Sequence, residues 1–306
     1  MLHEIALTPS VFHSDAYSSR EECDAHLQGI WTDLLERLLV RDLRNGDWYK
    51  QLIREKRRCP NAGQKLLKQL RATSRLRAFD SMLGTPPETD ADWCREALES
   101  HAREALSGVL GCKNVKREFR DNSVVASILQ RNSSDWWNEA TQGGAPRIGR
   151  RAADLVNAFS LVLRSARHVM FLDPHLDPGR RDYAEFVQLL GCCCADRIEI
   201  HRVCYEGMRR DSIPTNEEWE RRFTNKLGPI VQAKGFHLEV VIWPDEHDRH
   251  LVTNLASFHL GHGFGSTSSP KARMTCSRLS RKQSESIQRD HDPQVNTPRH
   301  RFVISP

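Results

Sequence analysis

Long apolar runs are missing from this 306-residue chain. None approaches the roughly 18 residues that a membrane span requires. The opening Met1-Leu2-His3-Glu4-Ile5-Ala6-Leu7 has neither the basic flank nor the apolar core of a signal peptide. A cytoplasmic protein without a transmembrane segment is expected. Cysteine occurs nine times but never as C-x-x-C, and an odd count without metal spacing argues against both a disulfide scaffold and a zinc site. The triplet Cys192-Cys193-Cys194 follows Phe186-Val187-Gln188-Leu189-Leu190 and reads as packing at a helix end. His168, His175 and His201 stand apart from any carboxylate or cysteine pattern that would make a ligand set. No metal and no cofactor is expected. Internal repeats are absent as well.

The remaining composition is that of a globular, well-charged protein, 39% hydrophobic and 28% charged. Its length suggests two domains. Net charge is only +5, but it is unevenly spread. Between Arg41 and Arg77 stand twelve Lys or Arg against three acids, Asp42, Asp47 and Glu55. Such a block, with Arg54, Lys56, Arg57 and Arg58 at its centre, suits a phosphate backbone or an anionic membrane surface. A solvated helical face is the plainer explanation, and both stay open. Few aromatics accompany the block, so base stacking is not indicated.

The first part of the chain has helical periodicity. Over 24–40, apolar residues fall at Leu27, Ile30, Trp31, Leu34, Leu35, Leu38 and Leu39, the spacing of an amphipathic helix, with Ser18 or Ser19 as its cap. Further helices are predicted over 48–57, 63–71 and, capped near Thr89, up to Leu106. Residues 123–130 read as strand or short helix. Gly143-Gly144-Ala145-Pro146 is the clearest punctuation and divides a mostly α-helical N-terminal domain, 1–145, from an α/β domain, 146–306. In the latter, helices over 148–166, 183–193 and 216–234 alternate with strands over 169–172, 197–204 and 237–243. That alternation implies βαβ units. A strand over 257–260, a loop over 265–273, a helical 276–290 and a last strand at 302–304 follow.

The segment carrying chemistry is His247-Asp248-Arg249, with Asn254 and Gly261 beyond it: H-x-R-x4-N-x6-G. On a strand, residues two apart face the same way, so His247 and Arg249 project together. A nucleophilic imidazole beside a cation is what a phosphodiester requires. Asn254, where a carboxylate would raise imidazole basicity, can only orient the ring. The backbone of Gly261-His262-Gly263 is open enough to approach an oxyanion, and His262 is a candidate proton donor or second phosphate contact. A satisfied polar pair at a sheet edge is the plain alternative for His247 and Arg249.

This spacing is that of the phospholipase D signature H-x-K-x4-D-x6-G, with Arg for Lys and Asn for Asp. Together with Phe171-Leu172-Asp173-Pro174-His175 and Gly261-His262-Gly263-Phe264, it resembles one branch of the phospholipase D-like superfamily. That branch includes the C-terminal domain of the microtubule-interacting-and-trafficking protein and bacterial relatives. The resemblance covers about 148–306 and implies a mixed sheet flanked by helices. It further implies a phosphohistidine mechanism without a metal, His247 as nucleophile, Arg249 as phosphate clamp, and a second imidazole supplied by a homodimer. Relatives in the branch have lost catalysis and bind acidic lipid surfaces; bacterial domains of this size also serve as nucleases in defence-type systems. Two functions are therefore expected as alternatives. One is a metal-independent phosphodiesterase or nuclease. The other is a non-catalytic phosphate-, nucleic-acid- or membrane-surface-binding module, or an interaction component whose helical half docks a protein partner.

Overall fold

The computed structural model describes residues 1–81, 84–142, 144–203, 214–244 and 248–306. It divides into two units, Leu2–Gly143 and, with Met1, Gly144–Pro306.

In the first unit, five short segments pair as parallel strands: β1 (His3–Leu7), β2 (Leu38–Asp42), β3 (Leu76–Phe79), β4 (Gly108–Gly111) and β5 (Val125–Ser127). Their order is β3-β2-β1-β4-β5. The central strand carries Ile5, which lies opposite Val40 on one side and Gly108 on the other. Helices α1 (Arg20–Thr32), α2 (Leu43–Arg54), α3 (Asn61–Ala72), α4 (Asp90–Arg103), α5 (Lys113–Glu118) and α6 (Asp135–Gln142) fill the connections.

The mostly α-helical N-terminal domain expected from the sequence is thus corrected to an α/β unit. The reason is visible in β2: all five of its residues are buried, so it lacks the polar–apolar alternation of a half-exposed strand. Its leucines simply continue the helical stripe of α1. The helix expected over 24–40 stops at Thr32, widens into a π turn at Asp33–Arg37 and becomes strand at Leu38. Local signals fared better. Ser19 Oγ accepts from the Glu22 amide at 3.1 Å, and Thr89 with Asp92 forms a full capping box. Trp48 and Phe12, both fully buried, meet edge to face at 5.8 Å in the core of this unit.

The second unit contains one eight-stranded mixed sheet. Its strands are β6 (Arg147–Gly149), β7 (His168–Leu172), β8 (Arg197–Val203), β9 (His237–Trp243), β10 (His250–Thr253), β11 (Phe258–Leu260), β12 (Arg273–Arg278) and β13 (His300–Ile304). The order is β13-β9-β8-β7-β10-β11-β12-β6. Strands β7, β8 and β9 are parallel, and every other pairing is antiparallel. Helices α7 (Ala152–Ser165), α8 (Phe186–Gly191), α9 (Asn216–Lys234) and α10 (Arg281–Asp290) complete it.

The predicted βαβ rhythm is present. Strands β6 and β12 were not foreseen, and β12 takes the first residues of the segment expected to be helical over 276–290. Cys204, the last residue of the strand expected over 197–204, lies outside the described residues. Beneath the end of β7, Phe171, Phe186 and Phe264 form a triangle with centroid separations of 5.0, 5.1 and 5.8 Å. Each such ring contributes about 1.5–3 kcal/mol by burial. The triangle anchors the segment that carries Gly261-His262-Gly263 to the sheet. The cysteine triplet follows α8, and Cys193 is buried, its thiol pushed up by that burial. Cys192 is half-buried and Cys194 exposed, so packing accounts for the middle residue alone.

Candidate functional site

The carboxyl end of β7 gathers the motif segments. Antiparallel pairing sets His250 opposite Leu172 and opposite His259. Arg249, one residue earlier, therefore stands beside Asp173 on one side and the turn after β11 on the other. A backbone bond from the Leu260 amide to the Arg249 carbonyl, 2.9 Å, fixes that second contact. Segments about 75 and 90 residues apart in the chain thus meet at one sheet end. In open α/β sheets the carboxyl ends of parallel strands are where ligands bind.

Asp173 is the hub of this end. It is fully buried; its Oδ2 accepts from the Tyr183 hydroxyl at 3.0 Å and the Phe264 amide at 2.9 Å. Its Oδ1 accepts from the His175 amide at 2.9 Å. Burial, reinforced by the Asp173 charge, pushes the Tyr183 phenol well up, so it remains a donor. Gly263 makes this convergence sterically feasible. Its φ is +65°, and an added Cβ would overlap the Asp173 carboxylate, 2.7 Å from Cγ, and stand 3.0 Å from Arg249 Cδ.

Arg249 is half-buried. Its Nη1 reaches the Gly261 carbonyl only at 3.5 Å, and its Nε is buried without a hydrogen bond. No carboxylate among the described residues pairs with it. His175 lies in the same field. Burial holds its imidazole below the usual histidine range; the Asp173 charge pulls it up, and the charges of Arg249, Arg180 and Arg202 push it down. A neutral imidazole beside a half-buried guanidinium is an arrangement suited to an anion bearing both acceptor and donor groups.

The other sequence candidates separate. His247 lies outside the described residues. Asn254 is at the opposite end of β10, about 16 Å along the strand from Arg249 at about 3.3 Å per residue. Its Oδ1 accepts from the Arg167 and His168 amides at 2.8 and 3.2 Å, where β7 begins. The glycine amides expected to meet an oxyanion are engaged internally: Gly261 donates to Thr275 O at 3.1 Å, Gly263 to Leu260 O at 3.2 Å. The sheet and its turn use them before any ligand can. His262 is exposed on that turn. Phe264 is turned into the core. Sequence reasoning passed over Asp173, His175 and Tyr183 as site residues. The available signal was Asp-Pro-His directly after an apolar strand, the place where the carboxyl-end rule puts a site.

The basic block of 41–77 also divides. Arg41, fully buried, donates to Glu4 Oε2 at 2.7 Å and to the Ser100 and Glu104 carbonyls. Arg77 grips Glu4 at 2.6 and 2.7 Å and Glu104 at 2.7 Å. Burial alone pushes the Glu4 carboxyl up, but hydrogen bonds and charge from Arg77 and Arg41 outweigh it and hold Glu4 below its usual range. Arg58 is bound to Asp15 and Glu55. Arg54, Lys56 and Arg57 are exposed and carry no ion pair among the described residues. Acids from outside the window, above all Glu4 and Glu104, neutralise much of what looked like a patch.

No protein-family model matches the chain, and no curated protein matches it. Among solved structures, TrmBL2, an archaeal chromatin protein described as showing a novel mode of DNA binding, is similar at a TM-score of 0.26 and 9% identity. The similarity covers 75% of this chain and 79% of that one. A similarity of that size carries no argument about fold or function. No helix of the described residues is long and apolar enough to cross a membrane.

Proposed function

We propose that residues 144–306 form a phospholipase D-like domain that binds a phosphate ester, with Arg249 gripping the non-bridging oxygens and His175 beside it. The observation that carries this reading is the half-buried Arg249 guanidinium, which no carboxylate among the described residues pairs and whose Nε is unbonded. A charged group in that state is costly to bury and gains most from an anion. Arg54, Lys56 and Arg57 add non-specific attraction for a polyanion, so a labelled single strand of DNA is the first probe. Arg249→Ala is expected to weaken that binding at least tenfold; equal affinity in the two proteins would sink the reading.

Hydrolysis is the second reading, and the neutral His175 within the field of Arg249 favours it. A neutral imidazole is a base, suited to taking a proton from the water that would resolve an intermediate on the proposed nucleophile His247, and it belongs to the same chain. Cleavage of DNA, RNA or bis-p-nitrophenyl phosphate in EDTA, lost in His247→Ala, would make the domain a metal-independent phosphodiesterase or nuclease of the kind found in defence-type systems. Binding without cleavage leaves a non-catalytic module.

A further inference from the structure

The first unit has its own crevice at the place where strand order reverses. Strand β1 is flanked by β2 on one side and β4 on the other, and the loops leaving β1 and β4 diverge to opposite faces. Between them lies a cleft of about 640 Å³, large enough for a small organic molecule. Doubly wound sheets that bind phosphates do so here, on a glycine-rich loop and a helix N-terminus. This chain fills that position with an acid. Asp90, at the start of α4, accepts from the Ser10 amide at 3.1 Å, the Thr8 hydroxyl at 3.2 Å and the Cys112 thiol at 3.8 Å. A phosphate would meet a carboxylate where it needs amides.

The wall around that position has the opposite polarity to a nucleotide site. Five carboxylates line the cleft against two guanidiniums. One of the two, Arg58, already lies between Asp15 (2.9 Å) and Glu55 (2.7 Å). Its guanidinium shows what kind of group the seat accepts. Deeper in, His13 has a side chain only 3% exposed, and its Nε2 makes no hydrogen bond; Glu55 Oε2 is 3.4 Å away. Burial, helped by the Arg58 charge, holds His13 below the usual histidine range, so it presents an uncharged ring nitrogen. An orphaned buried nitrogen is costly and calls for a ligand atom that hydrogen-bonds to it.

We propose that this cleft binds a small organic polyamine, its ammonium groups held by Asp15 and Glu55 and hydrogen-bonded to His13, with Arg58 competing for the same carboxylates. The guanidinium acts as an internal occupant that lowers affinity. Removing it should therefore strengthen binding, whereas in an anion site it would weaken it.

The test is calorimetric titration of spermidine and, separately, inorganic phosphate into the full chain at low salt. Arg58→Gln is expected to tighten spermidine at least fivefold. The same charge change at the exposed Lys68 should leave affinity within twofold. Adding Glu55→Gln to Arg58→Gln should abolish the gain, and Asp15→Asn, at a half-exposed side chain, should do so if the first double variant does not fold. Unchanged or weaker spermidine binding in folded Arg58→Gln overturns the proposal. Saturable phosphate binding lost in Arg58→Gln overturns it too, in favour of an anion site.

Discussion

Arg41 and Arg249 both leave a sheet surface, yet they meet opposite surroundings. Arg41, with Arg77, is packed into the first unit against Glu4 and Glu104, and its two terminal nitrogens end on carboxylates and carbonyls, although its Nε, like that of Arg249, is buried without a hydrogen bond. Arg249, at the end of β10, has one long bond to a carbonyl and no acid among the described residues. The first arrangement joins three strands and the end of α4; the second holds a charge in reserve. A basic residue in a sequence window therefore says little by itself. Whether it binds a ligand depends on which acids the fold brings to it, and Glu4 is 37 residues from Arg41.

The largest effect expected from breaking this contrast is at Glu4. Glu4→Gln leaves Arg41 buried beside a weaker partner and should destabilise the first unit by about 3 kcal/mol, read from urea unfolding. A loss below about 1 kcal/mol would mean the network is not what joins the strands. Acidification attacks the same carboxylate. Because its folded pKa is depressed, its contribution is present above the ordinary carboxylate range and fades as pH falls through the folded value.

Next comes Gly263→Ala, expected to cost about 1–3 kcal/mol because the new Cβ overlaps Asp173 and the left-handed backbone disfavours it. DNA affinity should fall with it, since Arg249 Cδ is in the same contact. Stability lost without any change in affinity would separate the Asp173 hub from the anion site.

Asp42 examines the first unit from the acid side. It is buried with the Tyr49 amide at 3.0 Å and no ion pair among the described residues. Burial pushes it up to about 6 against the pull of that amide. A raised folded pKa gives stability present below the unfolded value and lost as pH rises through about 6. Asp42→Asn keeps the acceptor and should gain about 1–2 kcal/mol at pH 8, the gain vanishing near pH 4. A melting temperature with the same pH dependence in both proteins would refute this.

Smallest is the stability effect of Arg249→Ala, expected within about 0.5 kcal/mol. A loss like that at Glu4 would erase the contrast altogether.

How much of this was legible depended on the range of the signal. Thr89 and Asp92 are three residues apart, so the start of α4 could be read directly. Strand β9 was also recovered within its bounds, since Gly235 ends α9 just before it and the apolar run from Leu238 is long enough to stand out. By contrast, β2 and β12 were absorbed into neighbouring helical patterns, because a strand of five or six residues imposes too little periodicity of its own. At the site, Asp173, Arg249 and Gly263 come together, whereas His247 lies outside the described residues. The Tyr183–Asp173–Phe264 network stayed hidden because it spans up to 91 residues and leaves no spacing rule. The fourfold basic cluster misled in part, since Arg58 is answered by Asp15 across 43 residues.

Asn254 changes how divergence at this position should be weighed. Its side-chain oxygen clamps the two amides that start β7, and for that task an amide and a carboxylate are interchangeable acceptors. Under the proposed phospholipase D-like reading, a substitution that looks like decay in a catalytic signature is a change of fastening at the far end of a strand. Spelling at 254 records how the sheet is joined, and drift there can proceed while the chemistry around Arg249 is gained, kept or lost independently.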